Sequence, residues 1–325
     1  MQMKKTKPIV IALAFAGVYF PASADTSIRN QRCEYLLSPP GIDTKAPRLT
    51  WEVVSDVPVK DFSVEITDSH TGKKIWTSGR LPADIRMVAP ELPLKPDSSY
   101  DWTVKARDGK GKIAGESKAS FGTGRFQPKD WTGKWISDNN DKEFEPAPMF
   151  RKEFQVTDGF DKAKMYVSAA GYYVVYINGK RVGDMVLAPG SFTADKHLGA
   201  QTYNVTALVR DGENELLIAL GDGWYRSTSG VDGDRDLFGK EVAVLFQLEV
   251  DGKAVCVSDD DMEATQCGPI RQNDMQQGEV YDARLEGDLS GWHGVKTQPN
   301  SLPITGMNTV PIRAVSYTHL TLPTI

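Results

Sequence analysis

Hydrophobic residues recur at every second position over much of the chain, which is the period of a β-strand with one buried face. Large apolar residues alternate with polar ones over residues 49–53, 62–66 and 100–106, and Ile75-Trp76 adds a shorter segment. Proline and glycine separate these segments, and none of them carries a helical repeat. The pattern predicts a small sandwich of the immunoglobulin or fibronectin type III sort, ending near Gly124.

The same alternation returns after Trp131 and continues through residues 165–169 and 173–177. Asn178-Gly179 follows directly, and this dipeptide is typical of a two-residue hairpin turn. Further strands are predicted at residues 216–220 and 242–250. The second region is therefore also all-β, and it is long enough for a jelly-roll sandwich.

Composition agrees with a globular protein of about two domains. The chain has 325 residues, of which 40% are hydrophobic and 25% charged, and its formal net charge is −5. An acidic chain is a poor partner for a polyanion, so no nucleic-acid binding is expected.

The first residues read as a leader for export. Three lysines precede an apolar run over residues 9–20, and small residues at 22–24 suit cleavage after Ala24. The run is about 12 residues, which is short for a membrane span of about 20, although a permanent anchor is the alternative. We expect a signal peptide at residues 1–24, no membrane span, and a periplasmic or extracellular protein.

Three cysteines, Cys33, Cys256 and Cys267, are too few for a disulfide scaffold. Cys256 and Cys267 are close enough in sequence to bridge a short loop, and the sequence leaves that pairing open.

The order of several short motifs resembles the N-terminal part of bacterial α-L-rhamnosidases of glycoside hydrolase family 78. In the second region the motifs are Ala169-Ala-Gly-Tyr-Tyr173, Tyr176-Ile-Asn-Gly-Lys-Arg-Val-Gly-Asp184, Leu187-Ala-Pro-Gly190, Gln201-Thr-Tyr-Asn-Val-Thr206, Leu220-Gly-Asp-Gly-Trp-Tyr-Arg226 and Gly278-Glu-Val-Tyr-Asp-Ala-Arg-Leu-Glu286. Before them, Cys33-Glu-Tyr-Leu36, Pro40-Gly-Ile-Asp43 and Pro47-Arg-Leu-Thr-Trp51 resemble the preceding immunoglobulin-like domain.

The resemblance implies an immunoglobulin-like domain at residues 25–125, a rhamnosidase N-terminal sandwich at 126–300 and the start of a further domain at 301–314. Residues 315–325 resemble translated adapter sequence and are interpreted as a non-native tail. In such enzymes an inverting carboxylate pair in a downstream (α/α)6 barrel removes terminal L-rhamnose. The implied partners are rhamnose-containing glycans and that downstream catalytic domain, and this chain is expected to be inactive alone.

Asp222, Trp224, Tyr225 and Arg226 form the candidate sugar site. Pyranose rings present an apolar C–H face and a rim of hydroxyls, so aromatic rings beside Asp and Arg suit them. The family also includes a rhamnose-binding module that holds calcium, which makes calcium a candidate ligand although none is required. The alternative is that Trp224 and Tyr225 pack against a neighbouring domain.

A second candidate set is Glu279, Tyr281, Asp282 and Arg284. We interpret it as a loop-fixing ion network or as a wall of the downstream domain's site, because residues 279 and 282 point to opposite faces of an extended strand. Asp232-Gly-Asp-Arg-Asp236 carries three alternate carboxylates as calcium loops do, but a solvated loop is the favoured interpretation. A histidine-dependent catalytic triad is not supported.

Two functions of different classes remain. The first is an accessory region of an exported α-L-rhamnosidase, and the second is a stand-alone carbohydrate-binding or adhesion protein. The DNA after codon 314 distinguishes them, since a long open frame favours the enzyme.

Overall fold

A computed structural model gives the structure of residues 26–125, 128–141, 146–287, 289–298, 303–307 and 309–314. The predicted leader and the residues after 314 lie outside these ranges. Regular structure within them is almost entirely β-strand, so the predicted all-β class is confirmed. None of the helices in these ranges has the length and apolar character needed to cross a membrane.

The first domain is a sandwich of two antiparallel sheets. Its strands are β1 Thr26–Cys33, β2 Leu49–Ser55, β3 Val59–Asp68, β4 Lys74–Thr77, β5 Leu81–Pro82, β6 Met87–Val88, β7 Ser99–Asp108 and β8 Ile113–Gly122. One sheet has the order β1-β2-β6 and the other β4-β3-β7-β8, with β5 paired to β3. Trp51 and Trp102, both almost fully buried, face the space between the sheets, where Trp51 meets Phe62 edge to face.

The second domain is a larger sandwich. Its strands are β9 Trp135–Asp138, β10 Met149–Val156, β11 Ala163–Ala170, β12 Tyr172–Ile177, β13 Lys180–Arg181, β14 Leu198–Asn204, β15 Gly212–Gly221, β16 Ala243–Val250, β17 Lys253–Val257, β18 Glu263–Thr265, β19 Ile270–Asp274, β20 Gly278–Tyr281, β21 His293–Gln298 and β22 Ile304–Gly306. The helix α1 is Gly223–Arg226, and single 3₁₀ turns occupy Pro128–Asp130 and Ala283–Leu285.

The strands of this sandwich form two layers that share one apolar core. The hydrogen-bonded order is β13-β12-β15-β10-β18-β21-β9-β16-β11-β14-β22, with β17 also paired to β16 and β19-β20 as a separate hairpin. β21 lies between β18 of one layer and β9 of the other. The Asn178-Gly179 turn joins β12 to β13 with positive φ at both residues, as its sequence predicts.

One layer of the second domain is covered on both faces. All eight residues of β11 and all eight of β16 are buried, although their side chains alternate between two sides. Met165 and Val167 face the sandwich core, whereas Lys164 and Tyr166 face outward. The outward side must therefore be covered by other parts of the protein.

The first domain covers part of this outward face, and the joint between the domains is charged. Asp97 pairs with Lys164 at 2.9 Å and accepts a hydrogen bond from the Tyr166 hydroxyl at 2.6 Å. Arg125 pairs with Glu249 and lies 5.1 Å from the centre of the Tyr166 ring. Burial opposes the charge on Asp97, but its bonds to Tyr166 and Lys164 lower its pKa. Such pairs tolerate few alternative geometries, because a displaced partner leaves a buried charge.

Candidate functional site

The candidate sugar motif lies where β15 ends and α1 begins. Gly223 has a φ of +56°, and a side chain at this position would collide with Tyr172 of β12. Glycine is suited to this turn because it has no Cβ atom. The turn places Trp224 and Tyr225 beside the start of β12, on the surface of the sandwich.

Arg226 points into the protein and is only 2% exposed. Its Nη1 and Nη2 donate to the two carboxylate oxygens of Asp141 at 2.6 and 2.9 Å, and its Nε donates to Asp222 at 2.6 Å. Nη1 also donates to the backbone oxygen of Lys240 at 3.0 Å. Burial opposes the charge, but these hydrogen bonds and carboxylates raise the pKa of Arg226. The guanidinium thus supports the fold of the loops around it.

The ion network continues from Asp222 to the β19-β20 hairpin. Arg235 pairs with Asp222 at 3.1 Å and with Asp274, whose carboxylate also accepts the backbone N–H of Thr228 at 2.8 Å. Burial opposes ionisation of Asp274, but backbone N–H donors, first that of Gln277, lower its pKa to about 2. Alternating charges therefore tie α1, the loop after it and the hairpin together.

Burial of Asp222 and Arg226 changes the predicted sugar site. The expectation that all four residues of the motif would face a ligand does not fit these two, because their polar groups are engaged inside the protein. Trp224 is 37% exposed, and Tyr225 is partly buried against Phe238. Trp224 and Tyr225 are thus the members of the motif that offer aromatic area to a ligand.

Trp224 and Tyr225 line a small pocket together with Phe192 and Phe238. A separate cavity of about 420 Å³ opens beside Tyr172. Tyr172 and Leu187 form apolar parts of its wall, and Asn273 and Glu279 of the hairpin form polar parts. Burial raises the pKa of Tyr172 to about 12, although the indole N–H of Trp224, as a hydrogen-bond donor to the hydroxyl, acts in the opposite direction. The cavity combines an aromatic ring with an amide and a carboxylate, which suits a polyhydroxylated ligand.

The second candidate set lies on and beside the hairpin, with local partners. Asp282 forms two hydrogen bonds with the side chain of Arg284, at 2.8 and 2.6 Å, and accepts the Arg284 backbone N–H at 3.1 Å. Its bonds to Arg284 lower the pKa of Asp282 to about 2. Glu279 accepts from Asn273 at 3.1 Å, and the Tyr281 hydroxyl donates to Glu286 at 2.7 Å. The interpretation as a loop-fixing network fits Asp282 and Arg284.

The alternating carboxylates at residues 232–236 flank an arginine that turns inward. Arg235 is committed to the ion network, and Asp234 pairs with Ser229 in an isolated β-bridge. In the ranges that the structure covers, no group of three or more His, Cys, Asp or Glu side chains is arranged to hold a metal ion. Cys256 is buried and Cys267 exposed, and both are free thiols.

Sequence reasoning missed several residues that shape this region. Asp141, Arg235 and Asp274 complete the network around Arg226, and they are far apart in sequence. Tyr172 was noted only as part of a motif. The aromatic pair Tyr172-Tyr173 at the start of β12 is a local sequence signal that could have indicated the cavity wall.

Two family models match the chain in succession. The model of the Rha78A-like N-terminal immunoglobulin domain matches residues 28–127, and that of the α-L-rhamnosidase N-terminal domain matches residues 159–319. The chain belongs to the α-L-rhamnosidase family and matches its N-terminal domains. The resemblance found in the sequence motifs is thereby confirmed.

Similar proteins cover the same part of the family. An α-L-rhamnosidase of Formosa agariphila is 32% identical over 208 residues, which are 60% of this chain and 22% of that protein. The structure of an α-L-rhamnosidase from Aspergillus terreus has a TM-score of 0.80 and 28% identity, covering 90% of this chain and 36% of that one. The structure of an α-L-rhamnosidase from Dictyoglumus thermophilum has a TM-score of 0.75 and 26% identity, covering 87% of this chain and 35% of that one. The chain thus spans about a fifth to a third of the length of these relatives.

Proposed function

We propose that the two domains are accessory domains of an exported α-L-rhamnosidase, an enzyme that hydrolyses terminal α-L-rhamnose from glycans or glycosides. One observation carries the proposal. The structure of this chain superposes on that of the Aspergillus terreus enzyme over 90% of this chain, which corresponds to 36% of the enzyme. Catalysis would then belong to a downstream domain of the same polypeptide, which is the partner expected from the sequence. Export is supported by the leader pattern in the first 24 residues.

The carboxylates on and beside the hairpin support an accessory role. An inverting glycosidase needs one carboxylic acid that stays protonated near neutral pH and a second carboxylate about 6.5–9.5 Å away. Asp282 is paired with Arg284, which lowers the pKa of Asp282 to about 2, so this residue is a poor general acid. Glu279 is hydrogen-bonded to Asn273. These residues suit a structural wall better than a catalytic pair.

The surface around Trp224 is proposed to contact rhamnose-containing glycans. Trp224 offers an aromatic face, and Asn273 and Glu279 in the cavity on the other side of Tyr172 offer hydrogen-bonding groups for hydroxyls. Asp222 and Arg226 act indirectly in this proposal, because they hold α1 in place. The same surface supports the second function, a carbohydrate-binding or adhesion protein without hydrolase activity.

The first experiment measures hydrolysis of an aryl α-L-rhamnoside by the chain. The expected result is no release of the chromophore, with an intact α-L-rhamnosidase as the positive control. Sustained release that disappears in Glu279→Gln would show that these domains are catalytic and would contradict the proposal.

The second experiment measures L-rhamnose binding by titration calorimetry, with and without a calcium chelator. Binding that is lost in Trp224→Ala and kept in Tyr281→Ala would support the Trp224 surface, since both aromatic residues are exposed. Absence of heat in all conditions would reject glycan contact at this surface and leave the accessory role to be judged by the activity assay.

A further inference from the structure

His293 lies at the start of the strand that connects the two layers of the second domain. It is the register partner of Ala264 in β18, and two residues later Val295 pairs with Asp138 in β9. β21 thus leaves one layer and joins the other within three residues. A side chain that secures this crossing affects how the layers are held together.

Both nitrogens of the His293 ring face oxygen atoms that accept hydrogen bonds. Nε2 lies 2.6 Å from Oδ1 of Asp138, and Nδ1 lies 3.1 Å from the backbone oxygen of Gly291. A neutral imidazole has one N–H, so one ring nitrogen would then direct its lone pair at an oxygen. The doubly protonated imidazolium satisfies both contacts. The Asn140 amide nitrogen Nδ2 lies 3.2 Å from Nε2, and a half-turn of this amide would present its oxygen to the same proton instead.

The surroundings of the ring favour this charged form. The Asp138 side chain is fully buried and also accepts the backbone N–H of Asn140 at 2.8 Å. From β18, Glu263 is already paired with Arg151 of β10 at 2.8 Å. Asp138 is therefore the carboxylate that faces His293, and its hydrogen bond raises the pKa of His293 although burial opposes this.

Further along β21, Lys296 carries the next charge and is paired with Glu241 at 2.6 Å. Asp141, whose backbone N–H donates to the backbone oxygen of Asp138 at 3.3 Å, is paired with Arg226. The charges of Glu263, Lys296 and Asp141 are thus each matched by another partner, whereas Asp138 faces His293. Loss of the imidazolium proton would leave the Asp138 carboxylate buried without a cationic partner, which is unfavourable.

We propose that His293 and Asp138 form a pH-sensitive latch that holds β21 to β9 while the imidazole is protonated. A pKa that is higher in the folded than in the unfolded protein stabilises the fold fully below the unfolded value of about 6.5. This stabilisation is lost as the pH rises through the folded value. The ion pair of the latch is therefore present at acidic pH and weakens at neutral to alkaline pH.

The latch also bears on the turn before β21. The Trp292 indole donates to the Leu289 backbone oxygen at 2.8 Å, and the Thr265 hydroxyl donates to that of Ser290 at 2.6 Å. Leu289 lines a cavity of about 300 Å³ that also borders Tyr176 and Glu286. Weakening of the latch is expected to loosen this side of the cavity first.

The test combines a histidine titration with thermal unfolding of the whole chain. NMR should give His293 a pKa above about 6.5, and Asp138→Asn should return it to the ordinary range. The His293 signal is identified by its absence in His293→Gln. Between about pH 5.5 and 8.5 the second domain of the wild type should lose roughly 2–4 °C more in melting temperature than that of His293→Gln.

His70→Gln is the matched control, because His70 lies in a turn of the first domain. This variant should keep the wild-type dependence of melting temperature on pH. The proposal is overturned if the pKa of His293 is about 6.5 or lower, or if His293→Gln keeps the full pH dependence. Neither result depends on hydrolase activity or sugar binding, so the proposed function is tested separately.

Discussion

The two sandwiches differ in how far the outer faces of their sheets are buried. In the first domain, β7 buries every second residue, from Tyr100 to Ala106, and leaves the residues between them partly exposed. In the second domain, β11 and β16 bury both sets. Outward-facing Lys164 and Glu249 are consequently buried and need partners. In the second domain, charged residues that the sequence alone would place on the surface are thus buried, and their ion pairs support the fold.

The largest expected effect is in the apolar core of the first domain. Trp102 is 1% exposed, so Trp102→Ala should destabilise this domain by about 3–5 kcal/mol. Chemical denaturation, followed by a probe in each domain, measures the change. Trp76→Ala, in the edge strand β4 and only partly buried, should cost less. Equal losses would show that the core assigned to the first domain is misplaced.

A smaller effect is expected at the charged joint. Asp97→Ala leaves Lys164 and the Tyr166 hydroxyl without their carboxylate partner, and should cost about 1.5–3 kcal/mol in unfolding free energy. Asp101→Ala is the control, because its partner Lys118 is 63% exposed. That control should lose at most about 1 kcal/mol. If Asp97→Ala and Asp101→Ala had the same unfolding free energy, the charged joint would not stabilise the protein.

Acid stability should depend on Asp274. Its pKa is lowered to about 2, so its stabilising effect is present above the unfolded value of about 3.9 and is lost as the pH falls toward 2. Asp274→Asn should be less stable than the wild type at neutral pH and should lose less stability on acidification. Asp232→Asn, in an exposed loop, should retain the wild-type profile. If the wild type, Asp274→Asn and Asp232→Asn lost the same stability on acidification, the low pKa assigned to Asp274 would be contradicted.

The smallest effect is expected on the hairpin surface. Tyr281→Phe removes the hydrogen bond from this hydroxyl to Glu286, and both residues are exposed. Water replaces the lost partner, so the melting temperature should not change measurably. A clear decrease would indicate that the hairpin contributes to the fold through this contact.

Much of the fold could be predicted from local patterns. The alternation in β7 and in β12, and the Asn178-Gly179 turn between β12 and β13, depend on neighbouring residues alone. β14, from Leu198 to Asn204, and the short strands after β17 were missed. β14 buries an irregular set of side chains, and β18, β20 and β22 have only three or four residues each.

The candidate site was predicted less completely, because its electrostatics depend on distant residues. The motif around Trp224 contains a partly exposed tryptophan, but the inward direction of Arg226 could not be read from it. Asp141 precedes Arg226 by 85 positions, and Asp274 follows Asp222 by about 50. A periodic pattern carries no information about such pairs, since folding alone brings them together.

The claim that buried charges support the second domain is tested most directly by the coupling energy between Arg226 and Asp141. A double-mutant cycle with Arg226→Ala and Asp141→Ala supplies it, and the surface pair Asp282–Arg284, whose arginine side chain is 88% exposed, serves as the reference. The account predicts a coupling of about 2–3 kcal/mol for the buried pair and at most about 1 kcal/mol for the reference. Equal, negligible coupling for both pairs would contradict it.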